Sequence, residues 1–200
     1  MEKIYAGIVT FNPDIERLKE NVCAICIQVP EVVIFDNGSS NFADIQECIS
    51  VFHNAILIHS DENIGIAAAL NRLMQWGSNN NYDWMLSLDQ DSVCDASYVN
   101  KMKQYLDVEP LLGIVAPVIV GHNPNKEYCH VNTCITSGAF SKIEYWKQIG
   151  EYDESMFIDS VDFEYCYRMR KNGYGVIQVK DVHLLHELGN SVKCRFLFWK

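Results

Sequence analysis

The sequence predicts an α/β fold in which a mostly parallel mixed sheet is flanked by helices. Three observations predict it. Short apolar, strand-like runs alternate with helical stretches along the first half of the chain. The 200 residues, 48% of them hydrophobic, are enough for one domain with a substantial core. Polar clusters follow several strand-like runs, at the position where open parallel sheets bind ligands.

Four strand-helix units come first, and a strand followed by a helix is the unit from which parallel sheets are built. Asn12 and Pro13 are read as an N-cap and a first helical residue. The expected strands are Ile4–Phe11, Val32–Phe35, Ala55–Ile58 and Trp84–Leu88, and the expected helices are Pro13–Gln28, Asn41–Phe52, Ile64–Trp76 and Ala96–Leu106.

The pattern changes after Gly113. Two strand-like runs, Ile114–Val120 and Tyr128–Thr136, flank a polar turn, and helices are expected near Glu144 and Val161. Two short strands are expected last, at Val176–Val179 and His183–Leu185. No repeat or low-complexity linker interrupts the chain, so we expect one domain.

Charge and cysteine content exclude several classes of protein. The net charge of −10 and the pI near 5.0 argue against nucleic acid as a partner, because phosphate contacts need a basic surface. No apolar run is long enough to cross a bilayer. The start Met1-Glu2-Lys3 leads into a strand without a secretory segment, so we expect a reducing cytosol and free thiols for all eight cysteines.

The most informative segment is Trp84–Ser92, an apolar run that ends in Asp89 and Asp91. In an extended segment these two side chains would point to the same side, where they can face one Mg²⁺ or Mn²⁺ ion or one ribose. An Asp-x-Asp that caps backbone amides in a turn is the alternative. The surroundings must therefore decide between the two.

Other polar positions have both a functional and a structural interpretation. Asp36-Asn37-Gly38 can read a base or ribose, or form a common turn. Asn63 can line a pocket or cap the following helix, in which Asn71 needs a partner if it is buried. The hydroxyls of Thr136 and Ser137, followed by Gly138, suit a polar ligand.

Acidic residues also mark the predicted start of the helix near Val161. Asp159 and Asp162 have the spacing of a capping box, whereas Glu164 and Arg168 have that of a surface ion pair. His186 follows the last predicted strand, and its neutral imidazole can complete a metal site or serve a structural role.

Taken in this order, Leu88–Ser92, Phe157–Asp162 and Leu185–His186 resemble the family 2 glycosyltransferases of the GT-A fold. The similarity runs from Lys3 to about Ser191 and is greatest to the rhamnosyltransferase branch. It implies one Rossmann-like domain over residues 1–191, followed by a tail over 192–200 that reads as the start of a truncated helix, a core-packing segment or an interfacial anchor.

The resemblance also implies roles for individual residues. Asp91 would bind the divalent metal, Mg²⁺ or Mn²⁺, and His186 would be a further ligand of the metal or of the diphosphate. Asp162 would be the general base, with Asp159 as the reserve base. Many relatives carry an acid just before the base, where this chain has Val161, so that either Asp159 or no residue supplies this charge. Ser137 and Gly138 would lie beside the donor sugar and the acceptor. The expected nucleotide-sugar pocket is lined by Thr10, Asn12, Asp36, Asn63 and Asp89.

The resemblance implies an inverting, metal-dependent transferase of surface polysaccharide assembly, with dTDP-rhamnose as the expected donor and a saccharide or lipid-linked acceptor. We expect it in the cytoplasm, with peripheral association at the inner face of the membrane left open, and the oligomeric state is undetermined. Two alternatives remain. One is a non-catalytic nucleotide-sugar-binding module that lacks the acceptor half. The other is a sugar-nucleotide pyrophosphorylase, although Phe11–Asp14 lacks the expected glycine-rich basic loop.

Overall fold

The structure is a computed structural model that describes residues 2–118, 126–180, 182 and 184–185. His183, His186, Cys194, the predicted polar turn over 121–125 and the tail over 192–200 lie outside these residues. The strands are β1 Ile4–Thr10, β2 Val32–Asn37, β3 Ala55–Ser60, β4 Trp84–Asp89, β5 Val93–Cys94, β6 Leu112–Pro117, β7 Tyr128–His130, β8 Phe140–Lys142, β9 Gly175–Val179 and β10 Leu184–Leu185. The helices are α1 Ile15–Cys26, α2 Phe42–Ser50, α3 Ile66–Asn79, α4 Tyr98–Lys103, α5 Ile143–Ile149 and α6 Val161–Lys171.

The main sheet has the strand order β3-β2-β1-β4-β8-β6-β9-β7. Its first four strands are parallel to one another, whereas β8 runs antiparallel between β4 and β6. The predicted α/β fold with a mostly parallel mixed sheet is thus confirmed. Thr10 pairs with Asp36 and Val9 with Asp89, so the carboxyl ends of β1, β2 and β4 lie side by side.

Both faces of the sheet are covered by apolar side chains. Along β1, Ile4, Ala6 and Ile8 belong to the buried cluster that includes Leu18 of α1. Tyr5 belongs to the opposite cluster, together with residues of α3, α5 and α6. Burial on both faces explains why these strands read as continuous apolar runs. The polar strand ends are left at the carboxyl edge.

The boundaries differ from the sequence prediction where short polar side chains decide them. The cap of α1 is Asp14, whose Oδ1 accepts the N–H of Arg17 at 2.9 Å, so the predicted start at Asn12-Pro13 is wrong. The predicted strand Tyr128–Thr136 forms only β7, Tyr128–His130. Strand β8 was missed because it has three residues, and its conformation is set by pairing with β4 and β6.

The sequence composition led us to expect free cysteine thiols and no segment that crosses a bilayer. Cysteines 23, 26, 48, 94, 129, 134 and 166 are free thiols. Within the described ranges, no helix combines the length and the apolar character needed to span a bilayer.

Asn71 joins α3 to the segment that precedes α6. Its side chain is buried, and Nδ2 donates to the carbonyl oxygen of Tyr152 at 2.9 Å and to Glu154 Oε1 at 3.0 Å. Its Oδ1 accepts from Trp146 Nε1 at 3.0 Å and from the Tyr152 N–H at 2.8 Å. The partner that the sequence required for Asn71 is therefore present, and it anchors the loop that leads to Asp162.

We expect Asn71→Leu to lower the free energy of unfolding by on the order of 3 kcal/mol, because two buried N–H donors lose their acceptor. Urea denaturation measures the loss. Gln75→Leu on the exposed face of the same helix is the control and should change stability by less than about 0.5 kcal/mol. Equal effects of the two substitutions would contradict the anchoring role.

Candidate functional site

A cavity of about 470 Å³ opens at the carboxyl edge of the sheet, beside the ends of β1, β2 and β4. Asp89, Gln90 and Asp91 form part of its wall. The remaining lining comes from the carboxyl ends of β1 and β2, the residue Phe11 that follows β1, the segment before α3, the first residue of α3 and the loop before α6: Val9, Phe11, Asn37, Asn63, Gly65, Ile66, Phe157 and Ile158.

The two acids reach the cavity through a turn over Asp89–Asp91, which we call the acid turn. Strand β4 ends at Asp89, and the N–H of Ser92 donates to the Asp89 carbonyl oxygen at 3.2 Å. The expected alternation of an extended segment is therefore wrong for Asp91, although both acids line the same cavity. Gln90 Oε1 accepts the N–H of Phe11 at 2.8 Å, which ties this turn to the end of β1.

Ser137 and Gly138 lie behind the acid turn and are buried. Ser137 Oγ accepts the Asp89 N–H at 3.3 Å and lies 2.7 Å from Ser92 Oγ. Gly138 has a φ of 79°, and its N–H donates to the Ser87 carbonyl oxygen at 2.7 Å. Ser137 thus supports the start of the turn and Gly138 supports β4. Neither belongs to the cavity wall, so their predicted contact with a ligand stays a prediction.

Thr10 and Asp36 form a buried network next to the cavity rather than part of its wall. Thr10 Oγ1 donates to Asp36 Oδ1 at 3.3 Å, and His59 Nδ1 lies 2.8 Å from Asp36 Oδ2. The His59 ring stacks on Phe42 with centroids 3.9 Å apart. The sequence analysis assigns no role to His59, because the expected third strand ended at Ile58, whereas β3 extends to Ser60.

Asn12 also lies outside the wall of the cavity. Its Oδ1 accepts from the backbone N–H and the hydroxyl of Ser40, at 2.8 and 2.9 Å. The Asn12 backbone N–H donates to Ser39 Oγ at 2.8 Å. Asn12 thus joins the segment after β1 to the loop after β2, and its predicted nucleotide contact stays a prediction.

Asn63 does line the cavity, but it does not cap α3. The cap position is Gly65, which has no side chain, and Asn63 Oδ1 instead accepts the Gly65 N–H at 2.9 Å and Asn37 Nδ2 at 3.0 Å. Gly65 has a φ of 84°, and an added Cβ would lie 2.8 Å from Phe157. The Ile66 N–H donates to the Phe157 carbonyl oxygen at 2.7 Å, which fixes the loop before α6 against α3.

The acids around the start of α6 do not form the expected capping box. Ser160, with a φ of 66°, holds the cap position without a side-chain hydrogen bond, and Asp159 is exposed. Asp162 lies in the first turn of α6, four residues after the cavity-lining Ile158. Burial raises the pKa of the Asp162 carboxyl, although the backbone N–H groups of Phe163 and of Asp162 itself partly oppose this rise.

The expected ion pair between Glu164 and Arg168 is confirmed. Arg168 Nη2 donates to Glu164 Oε2 at 2.7 Å, and Nε donates to Oε1. Arg168 Nη1 also donates to the carbonyl oxygen of Ile149 at 3.0 Å, so the pair connects α6 to α5.

Asp89 and Asp91 are the residues on the wall that suit a divalent cation. In the part of the chain that the structure describes, no three His, Cys, Asp or Glu side chains come together as a metal site. His186, the other predicted ligand, lies outside the described residues. Two carboxylates on one cavity fit Mg²⁺ or Mn²⁺, because such ions commonly take their other oxygens from water and a phosphorylated ligand.

Apolar side chains form an unexpected part of the site. Phe11, Phe157 and Ile158 line the cavity although they are 45%, 54% and 70% exposed. Large apolar side chains at a cavity mouth provide surface for a ligand with an apolar part. The sequence signal that could have identified them is the position of large apolar residues next to polar loop residues.

Comparison with curated proteins gives two informative relatives. The chain is 28% identical over 213 residues to the dTDP-rhamnosyl transferase RfbF of Shigella flexneri, covering 95% of this chain and 71% of that protein. It is 26% identical over 185 residues to the poly-beta-1,6-N-acetyl-D-glucosamine synthase of Staphylococcus aureus strain COL, covering 81% of this chain. The match spans 44% of the synthase, which is less than half of its length.

Solved structures show the same fold. The GalNAc-T7 structure with UDP, GalNAc and Mn²⁺ matches 92% of this chain and 43% of its own, with a TM-score of 0.78 and 12% identity. The mannosyltransferase PcManGT of Pyrobaculum calidifontis, with GDP-Man and Mn²⁺, matches 90% of this chain and 55% of its own, with a TM-score of 0.73 and 17% identity. The GT-A fold is confirmed.

The family model described as glycosyl transferase family 2 matches residues 5–170. This match extends from β1 through nearly all of α6 and includes the cavity, the acid turn and Asp162. The chain therefore belongs to glycosyl transferase family 2.

Proposed function

We propose that this protein transfers a sugar, with inversion, from a nucleotide-sugar donor to an acceptor hydroxyl in a metal-dependent reaction. The observation that carries the proposal is the shared position of Asp89 and Asp91 on one cavity of a family 2 chain. Phe157 and Ile158 border the same cavity and lead directly to Asp162. Cation-binding groups and a candidate base thus belong to adjacent segments of the site.

Asp91, with Asp89 beside it and His186 as a further ligand, would hold the cation that offsets the negative charge gained by the leaving nucleoside diphosphate. Asp162 would accept the proton of the acceptor hydroxyl as that oxygen attacks the anomeric carbon. A raised pKa suits this role because it makes the carboxylate a stronger base. Asp159 is the reserve base.

The proposed donor pocket combines cavity-lining and adjacent residues. Asn63 and Asp89 line the cavity. Thr10, Asn12 and Asp36 are proposed to reach the nucleotide from the neighbouring network, and Ser137 and Gly138 the sugar from behind the acid turn. The buried state of Thr10 and Asp36 means that their proposed contacts need a local rearrangement when donor binds.

For the donor we propose dTDP-rhamnose, supported by the 28% identity to the dTDP-rhamnosyl transferase RfbF over 95% of the chain. We propose that the acceptor is a saccharide or a lipid-linked molecule and that the reaction belongs to surface polysaccharide assembly. The support is that the second relative is named as a poly-beta-1,6-N-acetyl-D-glucosamine synthase. We propose a cytoplasmic location, with peripheral association at the inner membrane face left open. Membership of the transferase family removes the support for a pyrophosphorylase.

We expect Asp91→Asn to lower Mn²⁺-dependent turnover of dTDP-rhamnose by about 100-fold or more, because the charge on the leaving group loses its compensation. Release of dTDP, measured with and without Mn²⁺, provides the test. Asp107→Asn, at an exposed acid in the segment after α4, is the matched control and should have wild-type activity. Full metal-dependent activity in Asp91→Asn would refute the assignment.

We expect Asp162→Asn to retain donor binding but to reduce transfer by about 100-fold to 10,000-fold, the range typical of a lost general base. In the wild type, activity should fall as the pH is lowered through the pKa of Asp162. Because burial raises that pKa, this acidic limb should lie above the range of an ordinary Asp. Rate profiles against pH, with donor affinity measured by calorimetry, check both points.

Asp159→Asn distinguishes the two candidate bases. Asp159 is exposed, and we expect its substitution to leave the acidic limb in place. If Asp159→Asn abolishes transfer and Asp162→Asn does not, Asp159 is the base. Donor binding without transfer to any acceptor in the wild type would instead favour the non-catalytic binding module.

A further inference from the structure

Two polar side chains of α1 hold the backbone of the acid turn, Asp89–Asp91. Asn21 Nδ2 donates to the Asp89 carbonyl oxygen at 2.7 Å, and Arg17 Nε donates to the Asp91 carbonyl oxygen at 2.8 Å. Arg17 and Asn21 are four residues apart and therefore share one face of the helix. The first and last residues of the turn are each fixed by α1.

Burial of the Asn21 amide destabilises the core, which is explained if its hydrogen bond to the turn has a function. Its side chain is fully buried beside Leu18, Val22 and Ile25 of the same helix. Its Oδ1 has no hydrogen-bond partner among the described residues. A buried polar atom without a partner destabilises the folded state, and an apolar side chain of similar size avoids that cost. The amide is explained by its single hydrogen bond, to Asp89.

Arg17 brings a positive charge behind the acid turn. Its side chain is 24% exposed, and Nη1 lies 3.0 Å from Glu20 Oε2. A nearby positive charge by itself repels a divalent cation. The hydrogen bond from Arg17 to the Asp91 carbonyl oxygen has a separate effect, because it fixes the backbone from which the Asp91 side chain projects. These two effects have opposite signs for cation binding.

The backbone must be fixed because two carboxylates on one cavity repel each other until a cation binds between them. A loose turn would let them separate, and closing it again would cost part of the binding free energy. Groups that orient metal ligands without touching the metal commonly change its affinity about 10-fold to 100-fold when they are removed.

We propose that Asn21 and Arg17 are positioning residues that set the affinity of the acid turn for a divalent cation and a nucleoside diphosphate. They act through the backbone of Asp89 and Asp91 and contact neither ligand. This inference rests on the proposed function, because it takes Asp91 to be a cation ligand.

Calorimetric titration of Mn²⁺ into the protein with dTDP measures this affinity without catalysis. We expect Asn21→Leu and Arg17→Met each to weaken Mn²⁺-dependent dTDP binding by about 10-fold or more, with dTDP binding in the absence of metal unchanged. Arg17→Lys keeps a donor and the charge and should recover most of the affinity. If Arg17 acted by charge alone, Arg17→Met would strengthen Mn²⁺ binding instead.

Asn54→Leu is the matched control. Asn54 Nδ2 donates to the carbonyl oxygens of Cys26 and Val29, at 2.8 and 3.2 Å, and its Oδ1 also lacks a partner among the described residues. It precedes β3 at the amino edge of the sheet, opposite the cavity. We expect this variant to lose thermal stability and to keep wild-type Mn²⁺-dependent binding.

Asp91→Asn separates failure of this inference from failure of the proposed function. If Asp91→Asn loses Mn²⁺-dependent binding while Asn21→Leu and Arg17→Met keep it, the positioning role is wrong and the cation site stands. If Asp91→Asn also keeps it, the cation assignment itself is wrong. Arg17→Met removes only a partly exposed side chain, so the test survives if Asn21→Leu fails to fold.

Discussion

The site depends on holding two negative charges together at the end of one strand. Asp89 ends β4, and Asp91 follows in a turn, so nothing in the regular sheet fixes the second acid. The turn is instead held by hydrogen bonds from segments far apart in the sequence, provided by Arg17, Asn21 and Ser137. The position of β4 between β1 and β8 brings these segments within reach.

The side of the cavity formed by Phe157 and Ile158 depends on how the loop that precedes α6 is held. Asn71 binds the start of this loop at Tyr152, and the N–H of Ile66 binds its middle at Phe157. Both anchors belong to α3, whose first residue, Ile66, also borders the cavity. Helix α3 thereby fixes the direction from which the chain enters α6, and with it the start of the helix that carries Asp162. Helix α3 thus connects the wall of the cavity to the start of α6.

Much of this architecture could be predicted from the sequence. The first four strands are buried on both faces, so each is a readable apolar run, and parallel pairing then requires their polar ends to meet. Asp89 and Asp91 were recognised for that reason. The resemblance supplied Asp162, which neither spacing nor composition distinguishes from a helix cap.

The remainder depends on contacts between distant parts of the chain. Strand β8 has three residues and becomes a strand by pairing on both sides. Arg17 and Asn21 look like ordinary polar residues of a helix until the acid turn packs against them. The observed caps of α1 and α3 are Asp14 and Gly65, whereas Asn12 and Asn63 were expected. Such choices are decided by local geometry that periodicity does not encode.

The most direct test of the account is the crystal structure of this protein with dTDP and Mn²⁺, with the metal located by its anomalous scattering. We expect one Mn²⁺ ion in the cavity, with an Asp91 carboxylate oxygen within about 2.2 Å and the diphosphate on its other side. An ion bound elsewhere, or a diphosphate seated away from the turn of Asp89 and Asp91, would contradict it.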